Sequence, residues 1–346
     1  MENSVVFWGV SVIAGRNICF DFSIDSYQDD GVEKEGNVMS LEIKGLQVSY
    51  GERSILEQIN IQLENGQIVG LVAPNGTGKT SLFNAVMRFI PIKEGHILID
   101  GKEYTSSDKD VLELHKQVTF FPDQADLHEN FSGKEHIQMY ADIWKKKNRS
   151  IEEIIDRLQM RGYVDRKVET YSLGMRQRLC FAMMIAADTP IMLMDEVMNG
   201  LDPENVNLVS ETLKELRETS KIIFVSSHLL HNLDEYADQV IFLKDRKVHF
   251  VYQRHVKAAD FYKVLLDGEQ QKLLMDKWNL PPGTIWLNQD KLCIPLENYS
   301  PQQQIELFQV LRELETESLE VGALGTAEYY THLYGDSKTT IEEAAE

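Results

Sequence analysis

A clean alternation of apolar and polar residues begins at Met39 and carries the first prediction. The alternation of apolar and polar residues in LEIKGLQVSY (41–50) and ILEQINIQL (55–63) predicts two strands joined by a turn at Gly51-Glu52. Ile68 to Val72 is a continuous apolar, β-branched run; it gives way to the Gly-rich stretch Ala73 to Gly78 and then to a helical pattern from Lys79. Gly95 to Gly101 predicts a short strand closed by a turn, and Val118 to Phe121 another, followed by Pro122-Asp123-Gln124. Between Gly133 and Gly162 two amphipathic helical patterns run past the basic cluster Lys145 to Arg149, which reads as a solvated face.

The second half of the pattern alternates buried runs with turns. Tyr171 to Arg178 opens a long helix that is apolar from Leu179 to Ala187. Ile191 to Met194 is a buried strand that ends in two carboxylates, Asp195 and Glu196. Asn199 to Pro203 is a turn into a further helix, with Pro203 suited to its first position. Lys221 to Ser226 is another buried strand, ending at Ser227-His228. Beyond about His255, Thr284 to Leu296 alternates around an Asn-Gln-Asp turn and predicts a hairpin. Ser300-Pro-Gln-Gln303 is a capping-box start for a helix to about Glu315, followed by a strand near Ser318 to Val321 and a short helix at Thr326 to Tyr334.

Composition narrows the class. The chain has 346 residues, 43% apolar and 26% charged, as globular proteins are, and no apolar run reaches the roughly 18 residues of a membrane span. Thirty-five basic against fifty-five acidic residues give a net charge of −20, which argues against a nucleic-acid partner because phosphate backbones repel such a surface. Cys19, Cys180 and Cys293 lie far apart with no metal-ligand spacing and read as buried thiols of a reducing compartment. Residues 1–38 do not share the pattern that starts at Met39: Val5 to Ala14 is apolar without a basic leader, and Ser26 to Asn37 is acidic and turn-rich. They read as an extension outside the core fold.

The strand–loop–helix at 66–83 carries the chemistry. Backbone N–H groups at Gly76, Thr77 and Gly78 can point at phosphate oxygens, Lys79 can reach the terminal phosphates, and the Thr80 hydroxyl can ligate Mg²⁺. Ala73 stands where the GxxxxGK[ST] pattern has its first Gly. Taken alone, Tyr50 is either a packing aromatic or a stacking surface for a base. Likewise Asp195 is either a metal-holding carboxylate or a strand meeting solvent.

Five pieces stand in register along the chain: the phosphate loop, Ser172 in YSLGM, the Asp195-Glu196 strand, the Leu201-Asp202 turn and His228. Together they resemble the nucleotide-binding subunit of an ABC transporter over roughly Leu41 to Tyr252. The resemblance implies an α/β P-loop NTPase of ABC type. Such a fold has an antiparallel β subdomain, a parallel-sheet core, a helical subdomain at about 125–180 and here a small C-terminal α+β unit.

It also implies roles. Tyr50 would stack on adenine, and Ala73, Pro74, Asn75, Gly76, Thr77, Gly78, Lys79, Thr80 and Ser81 would wrap the phosphates of ATP. Thr80 and Asp195 would hold Mg²⁺, Glu196 would act as general base and His228 would contact the γ-phosphate. Ser172, Gly174 and Asp202 would face the ATP of a second subunit, self or paralogue, in a head-to-tail dimer.

Several residues depart from the family pattern. Leu173 and Met175 replace the middle Gly and final Gln of LSGGQ, giving a signature similar to those of drug and peptide-antibiotic exporters. Val197-Met198 replaces Pro-Thr. At the lone family Gln that meets Mg²⁺ stands Asp123, with Gln124 beside it, and either could fill the role.

The domain reading is 1–38 extension, 39–254 ABC ATPase, 255–335 α+β unit and 336–346 a disordered acidic tail. The function it implies is an ATPase on the cytoplasmic face of the membrane that powers a separate permease, which would dock near Phe121 to Glu135. The rival is a soluble ABC ATPase of translation, repair or cofactor assembly. The tail offers no chemical site. A structural or dimer-supporting role is its default reading, a regulatory one the alternative.

Overall fold

The structure, a computed structural model, describes residues 9–13, 16–20, 39–144, 150–254, 259–288 and 290–335, with side chains from 39 onward. The basic cluster at 145–149 and the acidic tail at 336–346 lie outside the described residues, as does the Cys19 side chain. Two compact units emerge, one of Met1–Ile68 with Thr80–Ser226, the other of Val69–Lys79 with Ser227–Glu346.

In the first unit, β1 (Gly9–Ile13) and β2 (Arg16–Phe20) form an antiparallel hairpin that is a sheet of its own. The alternation from Leu41 then folds as expected. β3 (Ser40–Tyr50) and β4 (Arg53–Glu64) pair antiparallel around Gly51-Glu52 and bury Leu41, Ile43, Leu46 and Val48 with Leu56, Ile59, Ile61 and Leu63 on one face. After β5 (Gln67–Val72) and helix α1 (Lys79–Val86), β6 (Glu94–Ile99) and β7 (Lys102–Glu103) complete this antiparallel sheet in the order β4-β3-β6-β7. Helix α2 (Asp108–Gln117), capped by Ser107, leads into β8 (Val118–Phe120).

Helices α3 (Gly133–Ile143) and α4 (Ile151–Arg157) pack on α5 (Leu173–Ala187). From Leu179 to Ala187, α5 is buried on every side, which is what a helix without a polar face requires. β9 (Ile191–Asp195) lies parallel to β8 and, beyond α6 (Pro203–Arg217), to β10 (Ile222–Ser226). All five residues of β10 and the first four of β9 are buried. Both strands therefore read as apolar runs that end in polar residues at their C-terminal edge, where open α/β sheets place their sites.

In the second unit, Val69–Val72 of β5 pairs in parallel with β11 (Gln239–Lys244), which follows α7 (Leu230–Tyr236). In turn β11 pairs antiparallel with β12 (Lys247–Gln253). The tail adds β13 (Phe261–Leu265), α8 (Gly268–Lys277), β14 (Ile285–Leu287), β15 (Lys291–Pro295), α9 (Pro301–Glu313), β16 (Leu319–Gly322) and α10 (Thr326–Tyr334). Its antiparallel sheet runs β14-β15-β13-β16. Val264, Leu274, Leu292, Leu307 and Leu311 belong to one core cluster, while Leu287, Cys293, Leu324 and Tyr329 pack in another. Burial pushes the Cys180 thiol up to about 12 and the Cys293 thiol up to about 11, so both are inert free cysteines.

Candidate active site

The phosphate loop is held open by its own backbone and closed by its lysine. Gly76 and Gly78 take φ of +78° and +108°, a conformation in which a Cβ would be strained. Thr77 Oγ1 donates to Pro74 O at 2.7 Å. Lys79, only 6% exposed, donates through Nζ to Ala73 O at 2.7 Å and to Pro74 O at 3.3 Å. Ala73 is buried and is not among the positive-φ residues, so the Gly missing from the pattern leaves the turn unstrained. His228 lies in this same unit, exposed, one residue past Ser227, whose Oγ accepts the Leu229 N–H at 3.0 Å.

The first unit gathers the oxygen groups. Thr80, next in the chain after Lys79, donates through Oγ1 to Asp195 Oδ2 at 2.5 Å, joining residues 115 apart in sequence. The other Asp195 oxygen, Oδ1, accepts from Ser226 Oγ at the end of β10. Ser226 also accepts the Glu196 N–H, at 3.0 Å on Oγ and 3.2 Å on its carbonyl. Glu196 stands at φ +54°, in the left-handed region that a non-glycine residue occupies at a cost of order 1–3 kcal/mol unless its surroundings fix it. Asn199 Nδ2 donates to Glu196 Oε2. The Thr80 hydroxyl and the Asp195 carboxylate that meet at the end of β9 are hard oxygen donors, suited to a small divalent cation such as Mg²⁺.

Other candidates have structural work of their own. Ser172 is the N-cap of α5, accepting the Met175 N–H at 3.3 Å. Asp202 caps α6, accepting the Asn205 N–H at 2.9 Å and Asn205 Nδ2 at 2.7 Å; those bonds hold its carboxyl below the usual range. At Gly174 an added Cβ would come no nearer than 3.6 Å to Gly200 O, ordinary contact, so nothing among the described residues demands glycine there. Leu173 beside it is 60% exposed, and Tyr50, at the end of β3, is 51% exposed.

Asp123 and Gln124 are turned to other partners. Asp123 Oδ1 caps the short 3₁₀ turn at Gln124–Asp126 by accepting the Ala125 N–H at 2.9 Å. Gln124 Nε2 donates to Gln177 Oε1.

Three residues of this constellation carry no signal in the sequence that singles them out. Ser226 ends an apolar strand, Asn199 lies in a turn, and Gln177 is one polar residue in the first turns of an apolar helix. Gln177 alone offers a hint, because a glutamine entering a helix buried all round needs internal partners.

Comparison with known proteins gives the family. The sequence profile described as ABC transporter matches residues 56–199. An uncharacterized ABC transporter ATP-binding protein of Bacillus subtilis (strain 168), YhcH, is 27% identical over 315 residues, 88% of this chain and 99% of its own. A second from the same organism, YdbJ, is 30% identical over 210 residues, 60% of this chain and 67% of its own. Among solved structures, the dimeric bacterial ABC transporter cassette MJ0796 superposes with a TM-score of 0.56 at 23% identity, covering 62% of this chain and 99% of that one. The chain thus belongs to the ATP-binding proteins of the ABC transporter family and is an ATPase of that family, built on its P-loop α/β fold.

Proposed function

We propose that this ATPase works as half of a head-to-tail pair, its own phosphate loop facing the Ser172–Gly174 segment of a second subunit, self or paralogue. The observation that carries the reading is the bonded set Thr80–Asp195–Ser226–Glu196. It ties a hydroxyl and a carboxylate through Ser226 to the backbone of Glu196, a second acidic residue whose backbone is held in a strained pose, in a set that begins directly after a lysine-closed phosphate loop in the chain.

ATP entry would exchange Ala73 O and Pro74 O around Lys79 for phosphate oxygens, so the ammonium is already placed and need not be gathered from solvent. Mg²⁺ fits the Thr80 and Asp195 oxygens and would supply charge neutralisation to the transferring phosphoryl group. Glu196 would take the proton from the attacking water, and His228 would steady the γ-phosphate.

The remaining roles follow from exposure. Tyr50 is open for an adenine ring, and Asp202 for the opposite subunit. Ser172 would turn the N-terminus of α5 toward the partner's ATP. Gly174, which its own fold does not require, suits close approach by another molecule.

Among the described residues no helix is long and apolar enough to cross a membrane. Work on a transported solute would pass to a permease docked near Phe121 to Glu135, where Phe131 is exposed. The Tyr171–Met175 signature favours an exporter on the cytoplasmic face of the membrane.

Glu196→Gln tests the chemistry. Steady-state hydrolysis falls about a thousandfold while ATP affinity stays within a few-fold, a split that marks loss of a general base. Retained turnover would remove Glu196 from that role. Recovery of the wild-type chain with a polytopic protein supports the permease arm, and a purely soluble complex turns the reading to the soluble ATPase.

A further inference from the structure

Behind the proposed base lies a side chain with no part in the hydrolytic steps. Gln177, 4% exposed in the second turn of α5, donates through Nε2 to Glu196 O at 3.1 Å and to Val197 O at 2.8 Å. Two carbonyls can only accept, so the amide must present its NH₂ to them and its oxygen away from them. That oxygen accepts from Gln124 Nε2, which forces the Gln124 amide into a matching orientation. The result is a directional line of side chains from the loop after β8, through the signature helix, to the strained peptide at the end of β9.

We infer that Gln177 is a positioning residue for hydrolysis, and that Gln124–Gln177 forms a relay by which the 121–135 segment sets the pose of Glu196.

Three features support the relay. Glu196 sits at φ +54°, and such a conformation persists only where the surroundings over-determine it. Its N–H is held by Ser226 and its carbonyl by Gln177, so the peptide is clamped from both sides. At the other end, Gln124 Oε1 is buried with no hydrogen-bond partner among the described residues, so the outer amide is anchored at one end only. An unsatisfied buried acceptor is a place where an incoming donor lowers the free energy, and moving Gln124 moves the donor that Gln177 Oε1 accepts from. The same segment is tied to α5 a second time, by the bidentate pair of Arg176 with Glu129 at 2.8 and 2.9 Å. That pair fixes the segment's place on the helix while leaving the glutamine amide to turn.

The inference rests on Glu196 as the base, and the experiment separates the two. Steady-state ATP hydrolysis by the full chain is measured for wild type, Glu196→Gln, Gln177→Met, Gln124→Met and the double Gln124→Met/Gln177→Met, with Tm for each. Met keeps the length of Gln and removes both ends of its amide. Gln177→Met lowers kcat about tenfold or more with KM for ATP within about twofold, a split that a general loss of fold would not give.

Gln124→Met, at a half-buried loop position, lowers kcat about threefold with KM unchanged, and the double variant is no worse than Gln177→Met, because serial links fail once. Full kcat in Gln177→Met, or multiplicative losses in the double, overturns the relay. Should Gln177→Met unfold, Gln124→Met with wild-type kcat overturns it alone. Hydrolysis unchanged in Glu196→Gln instead sinks the base assignment, and the relay with it.

Discussion

The strand-end cluster of the cassette and the α10 joint of the tail both consist of polar side chains bonded over long sequence distances, yet they use those bonds differently. At the cluster, Asp195 spends both oxygens on hydroxyls, and Glu196 takes a left-handed backbone to stay beside it. These groups are only partly buried, and Thr80 is exposed, so their partners can be exchanged for a ligand's. At the joint, Glu328 sits between Lys291 at 2.8 Å and Lys263 at 3.4 Å while accepting the Gly325 N–H at 3.0 Å. Asp234 of α7 takes both the N–H and the hydroxyl of Thr326. Both carboxylates, Glu328 and Asp234, are bonded inside the fold, and they meet the N-terminal dipole of α10. Polar contacts that are strained and exchangeable mark chemistry, and contacts that are complete mark attachment.

The sharpest way to break that contrast is at Asp195. Asp195→Asn keeps the shape and one acceptor but removes the charge that a divalent cation would need. The expected loss is several kcal/mol of transition-state stabilisation, about a hundredfold or more in hydrolysis, with Tm shifted by only a few degrees. An unchanged rate would make the Thr80–Asp195 pair merely structural. Lys79→Ala comes next. It should weaken ATP binding about tenfold or more, read by equilibrium titration, because the ammonium is prealigned by Ala73 O and Pro74 O.

These sites were legible because their residue types punctuate apolar runs. Ile191 to Met194 and Ile222 to Val225 are buried strands, so the apolar runs mark the strand ends at Asp195 and Ser226, while a role for Asp195 comes only from the resemblance and Ser226 is not singled out. What the sequence could not show is which polar groups meet. Gln177 and Gln124 are 53 residues apart, and no local pattern encodes the pair. Capping chemistry in the tail was equally readable: Ser300 with Gln303 makes the capping box at the start of α9, and α10 runs over the residues expected. By contrast β13 (FYKVL) and α8 carry no such clear mark. Five residues of alternation and an Asp267–Gln270 box inside a mixed stretch are weak against the surrounding loops.

A smaller effect, and one with a pH signature, lies at Glu328. Burial acts to raise this carboxyl, but the Lys291 bond, the nearby Lys263 ammonium and the Gly325 N–H outweigh it and hold the group at about 2. A carboxyl depressed on folding contributes stability that is fully present above its ordinary value near 4.5 and is lost as pH falls towards 2. Glu328→Gln should therefore cost about 1–2 kcal/mol at pH 7 after allowance for partial solvation, about 4 °C in Tm. The gap between the two proteins should close as pH drops from about 4.5 to about 2. A gap independent of pH would show that the carboxylate charge contributes nothing to the joint.

The smallest change tests whether the tail is attachment alone. The Tyr334 hydroxyl at the far end of α10 has one proton, given to Leu243 O at 2.7 Å, with Val72 O 3.4 Å away. Val72 is the last residue of β5, and Ala73 after it begins the phosphate loop, whose carbonyl holds Lys79. Lys244 Nζ also reaches back to Leu333 O at 2.8 Å, so this end of the helix stays fixed when the hydroxyl is removed. Tyr334→Phe should then cost about 1 kcal/mol, about 2–4 °C in Tm, while ATP affinity stays within twofold. A change in ATP affinity larger than the loss of stability would mean that α10 tunes the loop through β5. In that case the tail's completed contacts would themselves bear on the phosphate loop, and the contrast between attachment and chemistry would fail at β5.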